Sequence, residues 1–112
     1  QREVLYKLSD SFLLWERRIA IVSTLTFIRN RDFIDTIALS ERFLSAYHSM
    51  PKPTMHDLMQ KAIGWMLREM GKRDKDLLIQ FLDKHAATMP RTMLRYAIEK
   101  FSENERREFM KR

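Results

Sequence analysis

Apolar residues recur along this chain at the three- and four-residue spacing of amphipathic helices, in seven separate runs. The clearest run is "DLMQKAIGWMLREM", in which Met59, Ala62, Ile63, Met66 and Met70 fall on one side and predict a core-facing stripe. Thr54 and Asp57 predict a reciprocal cap for a helix of residues 55–71, and Gly71 predicts its end. Before it, "QREVLYKLSD" predicts a polar helix over residues 2–9. "DSFLLWERRIAIVSTLTFIRN" predicts one long helix over residues 12–29, started by Asp10 or Ser11. That helix is apolar over most of its circumference, which predicts a central, sandwiched position. Asp32 can cap a third helix through residue 47, with Phe33, Ile37, Phe43 and Leu44 as its core residues.

"HSMPKPT" then interrupts the pattern. Its two prolines each remove a donor and bias the preceding residue away from helical dihedrals, so residues 48–54 read as an inter-helix loop. Downstream, Asp74 can cap a helix with Leu77, Leu78, Phe81 and Leu82 at helical spacing. Pro90 stands at or just before another start, and Ser102 with Glu105 makes a capping box for the last helix. The fold class is therefore all-α, built from short antiparallel helix pairs, each too thin to bury its own face. Stacking them side by side as a solenoid would bury a continuous core. There is no strict internal repeat, and a closed helical bundle fits the periodicity nearly as well.

Size and composition narrow this picture without changing it. A chain of 112 residues suits one domain, and two glycines with three prolines supply few of the turns an all-β domain needs. No cysteine is present, so disulfides and thiolate metal sites are excluded within it. A formal charge of +6 predicts attraction to polyanions without separating DNA from RNA or membrane. The apolar runs are too short to span a bilayer and no signal-peptide pattern appears, so a cytoplasmic location is expected. Gln1 stands inside a helical pattern without an initiator Met, which predicts a fragment of a longer array.

Three clusters could carry chemistry. Trp65 projects away from most of the methionine stripe and shares its side with Lys61 and Arg68. A tryptophan face can stack on a base while neighbouring cations hold phosphates; alternatively Trp65 packs on the next helix with the cations at its rim. Arg18 lies among Leu14, Val22 and Leu25, where a guanidinium needs a carboxylate, a carbonyl or a ligand phosphate. Glu16 or Glu69 could pair with it, or it could snorkel. Trp15, three residues earlier, reads as a second stacking surface or as core, with core favoured. In the tail, Arg91 and Arg95 can face one way as an anion contact or as a solvated charged face. His48, His56 and His85 lack metal-ligand spacing, and Glu69 is a possible acid or base whose expected role is pairing with nearby cations.

Three blocks, "FLLWERRIAIVSTLTFIRNRDF", "HDLMQKAIGWMLREMGKRDKDLLIQFLDKH" and "MPRTMLRYAIEKF", resemble the C-terminal half of the DNA alkylation repair family, the AlkD-like HEAT-repeat DNA glycosylases. The resemblance runs over nearly the whole chain. It implies a HEAT-like α-solenoid with a concave basic DNA surface, and hydrolysis of the N-glycosidic bond of cationic alkylated purines without metal or organic cofactor. The implied partner is double-stranded DNA containing alkylated bases; separately, no membrane partner is expected, and a monomer is compatible with the sequence, which leaves dimerisation open. By matching motifs, Trp65 would lie against the damaged nucleotide's sugar and backbone and Arg18 would contact DNA near the lesion, both as catalytic residues. Arg68 would hold phosphate, with Lys61, Arg91 and Arg95 as further DNA contacts. The family also uses an upstream Trp and an Asp that supports the developing sugar cation. Neither has a counterpart in residues 1–112, so this piece alone is expected to be a poor catalyst. The loop "HSMPKPTMHD" is also longer than the family usually carries between these helices.

Overall fold

Three helix starts in this chain are set by side chains that capture backbone N–H groups, those of His56, Asp74 and Ser102. The computed structural model describes residues 2–112, which form eight α-helices and one 3-10 turn. They are α1 (Arg2–Ser9), α2 (Leu14–Val22), α3 (Leu25–Arg29), α4 (Ile34–His48), α5 (Asp57–Arg73), α6 (Lys75–His85), α7 (Arg91–Ala97) and α8 (Glu103–Met110), with the 3-10 turn Ala86–Thr88 after α6. No described helix is long and apolar enough to cross a membrane.

The long helix expected over residues 12–29 is two helices. Thr24 is fully buried, and its hydroxyl donates to the Ile21 carbonyl at 2.7 Å while its N–H reaches the same oxygen at 3.1 Å. Donation of the buried hydroxyl to Ile21 offers the backbone an alternative to the continuing helix and accompanies the tight turn that separates α2 from α3. Nor is α2 sandwiched: only Ala20 and Ile21 are buried, while Trp15 is 58% and Ile19 42% exposed. Ser11 lies at its entrance, where its hydroxyl accepts from the Leu13 N–H at 3.0 Å.

Asp32 accepts weakly from the Ile34 N–H at the start of α4, at 3.4 Å. Phe33, Phe43 and Leu44 are buried as the spacing predicts, together with Leu39, and Ile37 packs at the margin of the core. Residues 49–56 form the irregular connection to α5. The cap of α5 is His56 instead of Thr54: its ring Nδ1 accepts from the Leu58 N–H at 3.1 Å, so the helix begins two residues later than expected. Gly71 does not end α5, which runs on to Arg73. Its missing side chain serves packing, because a Cβ there would meet Leu78 Cδ2 of α6 at 2.3 Å. Asp74 caps α6 through the Leu77 N–H at 3.1 Å, Pro90 precedes α7, and the Ser102–Glu105 capping box starts α8, all as the sequence predicts.

The predicted stripe Met59, Ala62, Ile63, Met66 and Met70 is buried, and Leu67 joins it. α5 is thereby the central helix, packed between α2 on one flank and α7 on the other. At the α7 crossing a Cβ on Gly64 would stand 2.4 Å from Tyr96 Cβ and 2.7 Å from the Met93 carbonyl oxygen, so only glycine lets the two backbones come this close. The result is an all-α structure of paired antiparallel helices in a repeat-type, solenoid-like arrangement. Its extents, 38 × 37 × 20 Å, describe a slab about two helix diameters thick.

Candidate nucleic-acid interface

Where α2 meets α5, six side chains enclose an open hollow of about 380 Å³: Trp15, Arg18, Ile19, Val22, Ser23 and Trp65. Trp15, Arg18, Ile19 and Val22 recur at the spacing of one helical face, so a single side of α2 supplies one wall. Trp65 supplies the other from α5, half-buried with part of its ring against the core. Sequence reasoning singles out Arg18 and Trp65 separately, and the fold brings them together. Arg18 holds its side chain across the junction by donating from Nε to the Leu58 carbonyl at 3.3 Å, and it makes no ion pair among the described residues. Neither Glu16 nor Glu69 serves as its counter-ion: Glu16 accepts from the Ser11 hydroxyl, and Glu69 pairs with Lys72 at 3.0 Å and Arg73 at 3.2 Å. Burial pushes Glu69 toward a higher pKa, but its two cationic partners outweigh this and hold it below the usual carboxylate range.

Of the remaining expected contacts, Lys61, Arg68 and Arg91 are already engaged. Lys61 forms an i,i+4 ion pair with Asp57 at 2.9 Å, and that bond raises its pKa. Arg68 turns toward α7 and donates from Nη1 to Glu99 at 2.9 Å and to the Tyr96 carbonyl at 3.4 Å. The Arg91 guanidinium closes the turn before its own helix, reaching the Ala86 carbonyl at 2.6 Å and that of Met89 at 2.9 Å. Arg95 is exposed on the wall of a larger hollow of about 700 Å³ between α7 and α8. There Glu99 and Glu103 stand among Arg95, Arg106 and Arg107, so opposite charges largely offset one another. The smaller hollow at Trp65 is lined by two indoles and one cation, with no carboxylate among its lining residues.

Trp15 and Ile19 are the members that sequence reasoning underweighted. Trp15 lies one turn before Arg18, which was signal enough for a shared face, but the apparent all-round hydrophobicity of residues 12–29 argued for burial. The break at Thr24 removes that argument. The histidines have structural roles: His56 caps α5, His85 Nε2 lies 2.7 Å from Glu41, and the ring of His48 meets Tyr47 edge-on at 5.1 Å. Among the described residues no group of three or more potential ligands is placed to hold a metal ion.

No curated protein and no solved structure matches this sequence. A family model does, over residues 1–101, a span that takes in α1 through α7 and so both walls of the hollow. The chain belongs to the DNA alkylation repair enzyme family.

Proposed function

We propose that the chain binds duplex DNA through the α2–α5 hollow and serves hydrolysis of the N-glycosidic bond of cationic alkylated purines. The observation that carries this reading is the meeting of Trp15, Arg18 and Trp65 around one open hollow. Two indole faces offer flat, sequence-tolerant surfaces for a sugar or base edge, and the Arg18 guanidinium offers a forked donor to the adjoining phosphate. A cationic purine leaves as a neutral base, so the leaving group needs no proton from the protein. The barrier then lies in the developing positive charge on the sugar, which electron-rich indole faces stabilise more in the transition state than in the ground state. A water molecule adds to the sugar cation and loses its proton to complete hydrolysis. On this reading the helix pairs form a HEAT-like array with α2 and α5 on its DNA-facing side, in a monomeric cytoplasmic protein acting without metal or organic cofactor.

One observation favours a second reading. None of the six lining residues is a carboxylate, the group best suited to oppose a sugar cation and orient water. A DNA-binding module without hydrolytic activity accounts for that composition, and so does an enzyme whose carboxylate comes from outside these 112 residues. The deciding experiment is release of 7-methylguanine from methylated duplex DNA by the longest available protein containing this chain, beside its Arg18→Gln and Trp65→Phe variants. Release that falls at least tenfold in Arg18→Gln while folding is retained supports the glycosylase. Tight, Arg18-dependent binding with no release supports the noncatalytic module, and release indifferent to both substitutions overturns the placement of the site.

A further inference from the structure

A second cationic hollow lies further along α5. Arg68 and Lys72 of α5, Lys75 at the start of α6 and Lys100 after α7 line a space of about 150 Å³, floored by Gly71, Leu78, Ala97 and Phe101. Four cations from three segments converge there with no carboxylate among the lining residues. The acidic groups that neutralise them reach in from outside: Glu99 holds Arg68 at 2.9 Å, Glu69 holds Lys72 at 3.0 Å and Glu105 holds Lys75 at 2.9 Å. Lys100 is exposed and has no ion-pair partner among the described residues. Arg68 carries the sharpest sign of an unfinished site, since its Nε is buried without any hydrogen-bond partner. A charged donor left unpaired is costly, and an incoming oxyanion would satisfy it.

We propose that this corner seats one phosphate group, and that in a duplex complex the occupant is a backbone phosphate beyond the Trp65 contact; that occupant rests on the duplex-binding reading above. The volume of about 150 Å³ leaves room for a tetrahedral oxyanion, and four converging cations suit a phosphate better than an uncharged base. Trp65 and Lys72 lie on one side of α5, about 10 Å apart along its axis. The Lys75–Glu105 pair is solvent-exposed, with side chains 50% and 37% accessible, so Glu105 can be displaced at little cost, whereas Glu69, 15% accessible, keeps Arg73 as a partner when Lys72 turns to the ligand. Phosphate binding would move Arg68 from Glu99 onto the ligand and complete its Nε.

The test compares the double variant Lys75→Gln/Lys100→Gln with Lys52→Gln/Lys84→Gln, which loses the same charge away from the corner. Equal unfolding midpoints are the entry condition, and undamaged duplex is used, so base release plays no part in the readout. Inorganic phosphate, titrated against chloride at matched ionic strength, is expected to shift the amide resonances of Gly71, Lys72 and Lys100 in the parent and not in the corner variant. The slope of log affinity for duplex against log salt is expected to shrink by about 0.9 in the corner variant, the loss of one phosphate contact, and to hold in the control. Phosphate shifts with an unchanged duplex slope would keep the seat and overturn its duplex occupant in favour of a free phosphate. Absence of both effects overturns the proposal entirely, whatever the fate of the glycosylase reading.

Discussion

The two flanks of α5 show opposite solutions to the same packing problem. Toward α7, Gly64 lets the backbones approach until a single added carbon would strike Tyr96 and Met93, and Arg68 is tied down by Glu99 and a carbonyl. Toward α2, two tryptophans and an arginine line an open hollow beside the helix contact, and the arginine meets only one carbonyl. Close packing is what stability selects, since voids forfeit dispersion contacts and exposed indoles forfeit burial. A flank that keeps Trp15 and Trp65 at an open hollow, opposite a crossing closed by Gly64, therefore marks where a ligand is expected to complete the surface.

Substitutions at the close-packed α5–α7 crossing should destabilise the protein, whereas those on the open flank should spare the fold and cost binding. Leu94→Ala, at a fully buried position of α7, should lose about 3 kcal/mol in urea unfolding from lost transfer energy and residual cavity. Gly64→Ala should lose about 2 kcal/mol by the same measurement: alanine's helix propensity returns up to about 1 kcal/mol, but a 2.7 Å approach to a carbonyl forces the helices apart. Stability effects of that size from Trp15→Ala would break the comparison. With Trp15 58% exposed, that variant should change stability by about 0.5 kcal/mol or less while weakening binding of alkylated duplex by about 1 to 3 kcal/mol in a fluorescence-anisotropy titration.

The smallest effect is a pH dependence at the α4–α6 seam, away from both flanks. The His85 hydrogen bond, ahead of that from Lys84, holds Glu41 below its ordinary value of 4.5 although burial opposes it. A carboxyl with a depressed folded pKa contributes stability above its unfolded pKa and loses it as pH falls through the folded one. Glu41→Gln should therefore lower stability at neutral pH by about 1 kcal/mol or less and flatten the acid limb below pH 4.5. An unchanged acid limb in urea unfolding at stepped pH would show that the pair contributes nothing.

The core was legible in the sequence where one periodicity governed one element. The methionine stripe of α5, the Asp74 cap and the Ser102–Glu105 box required only local spacing, and all three appear as expected. The helix break was not legible, because Ser23 and Thr24 are tolerated within helices and only tertiary burial of the Thr24 hydroxyl makes Ile21 its acceptor. Likewise Gly71 has the composition of a helix stop, yet its lack of a Cβ is used against Leu78 while the helix continues. His56 displaced Thr54 as the α5 cap because a ring nitrogen accepts an N–H as a hydroxyl does. For the site, residue types and faces were readable, but the convergence of α2 on α5 depends on contacts separated by some forty residues, which no local pattern encodes.

The chain contains only two tryptophans, and both line the α2–α5 hollow, so intrinsic tryptophan emission reports on that surface alone. The most direct test is to titrate the protein with duplex containing 7-methylguanine, following tryptophan emission and DNA anisotropy together in the parent and in Arg18→Gln. The account predicts that emission is quenched along the same binding curve as the anisotropy, and that both curves weaken together in Arg18→Gln. Saturating anisotropy with unchanged emission would place the duplex elsewhere on the molecule and contradict it.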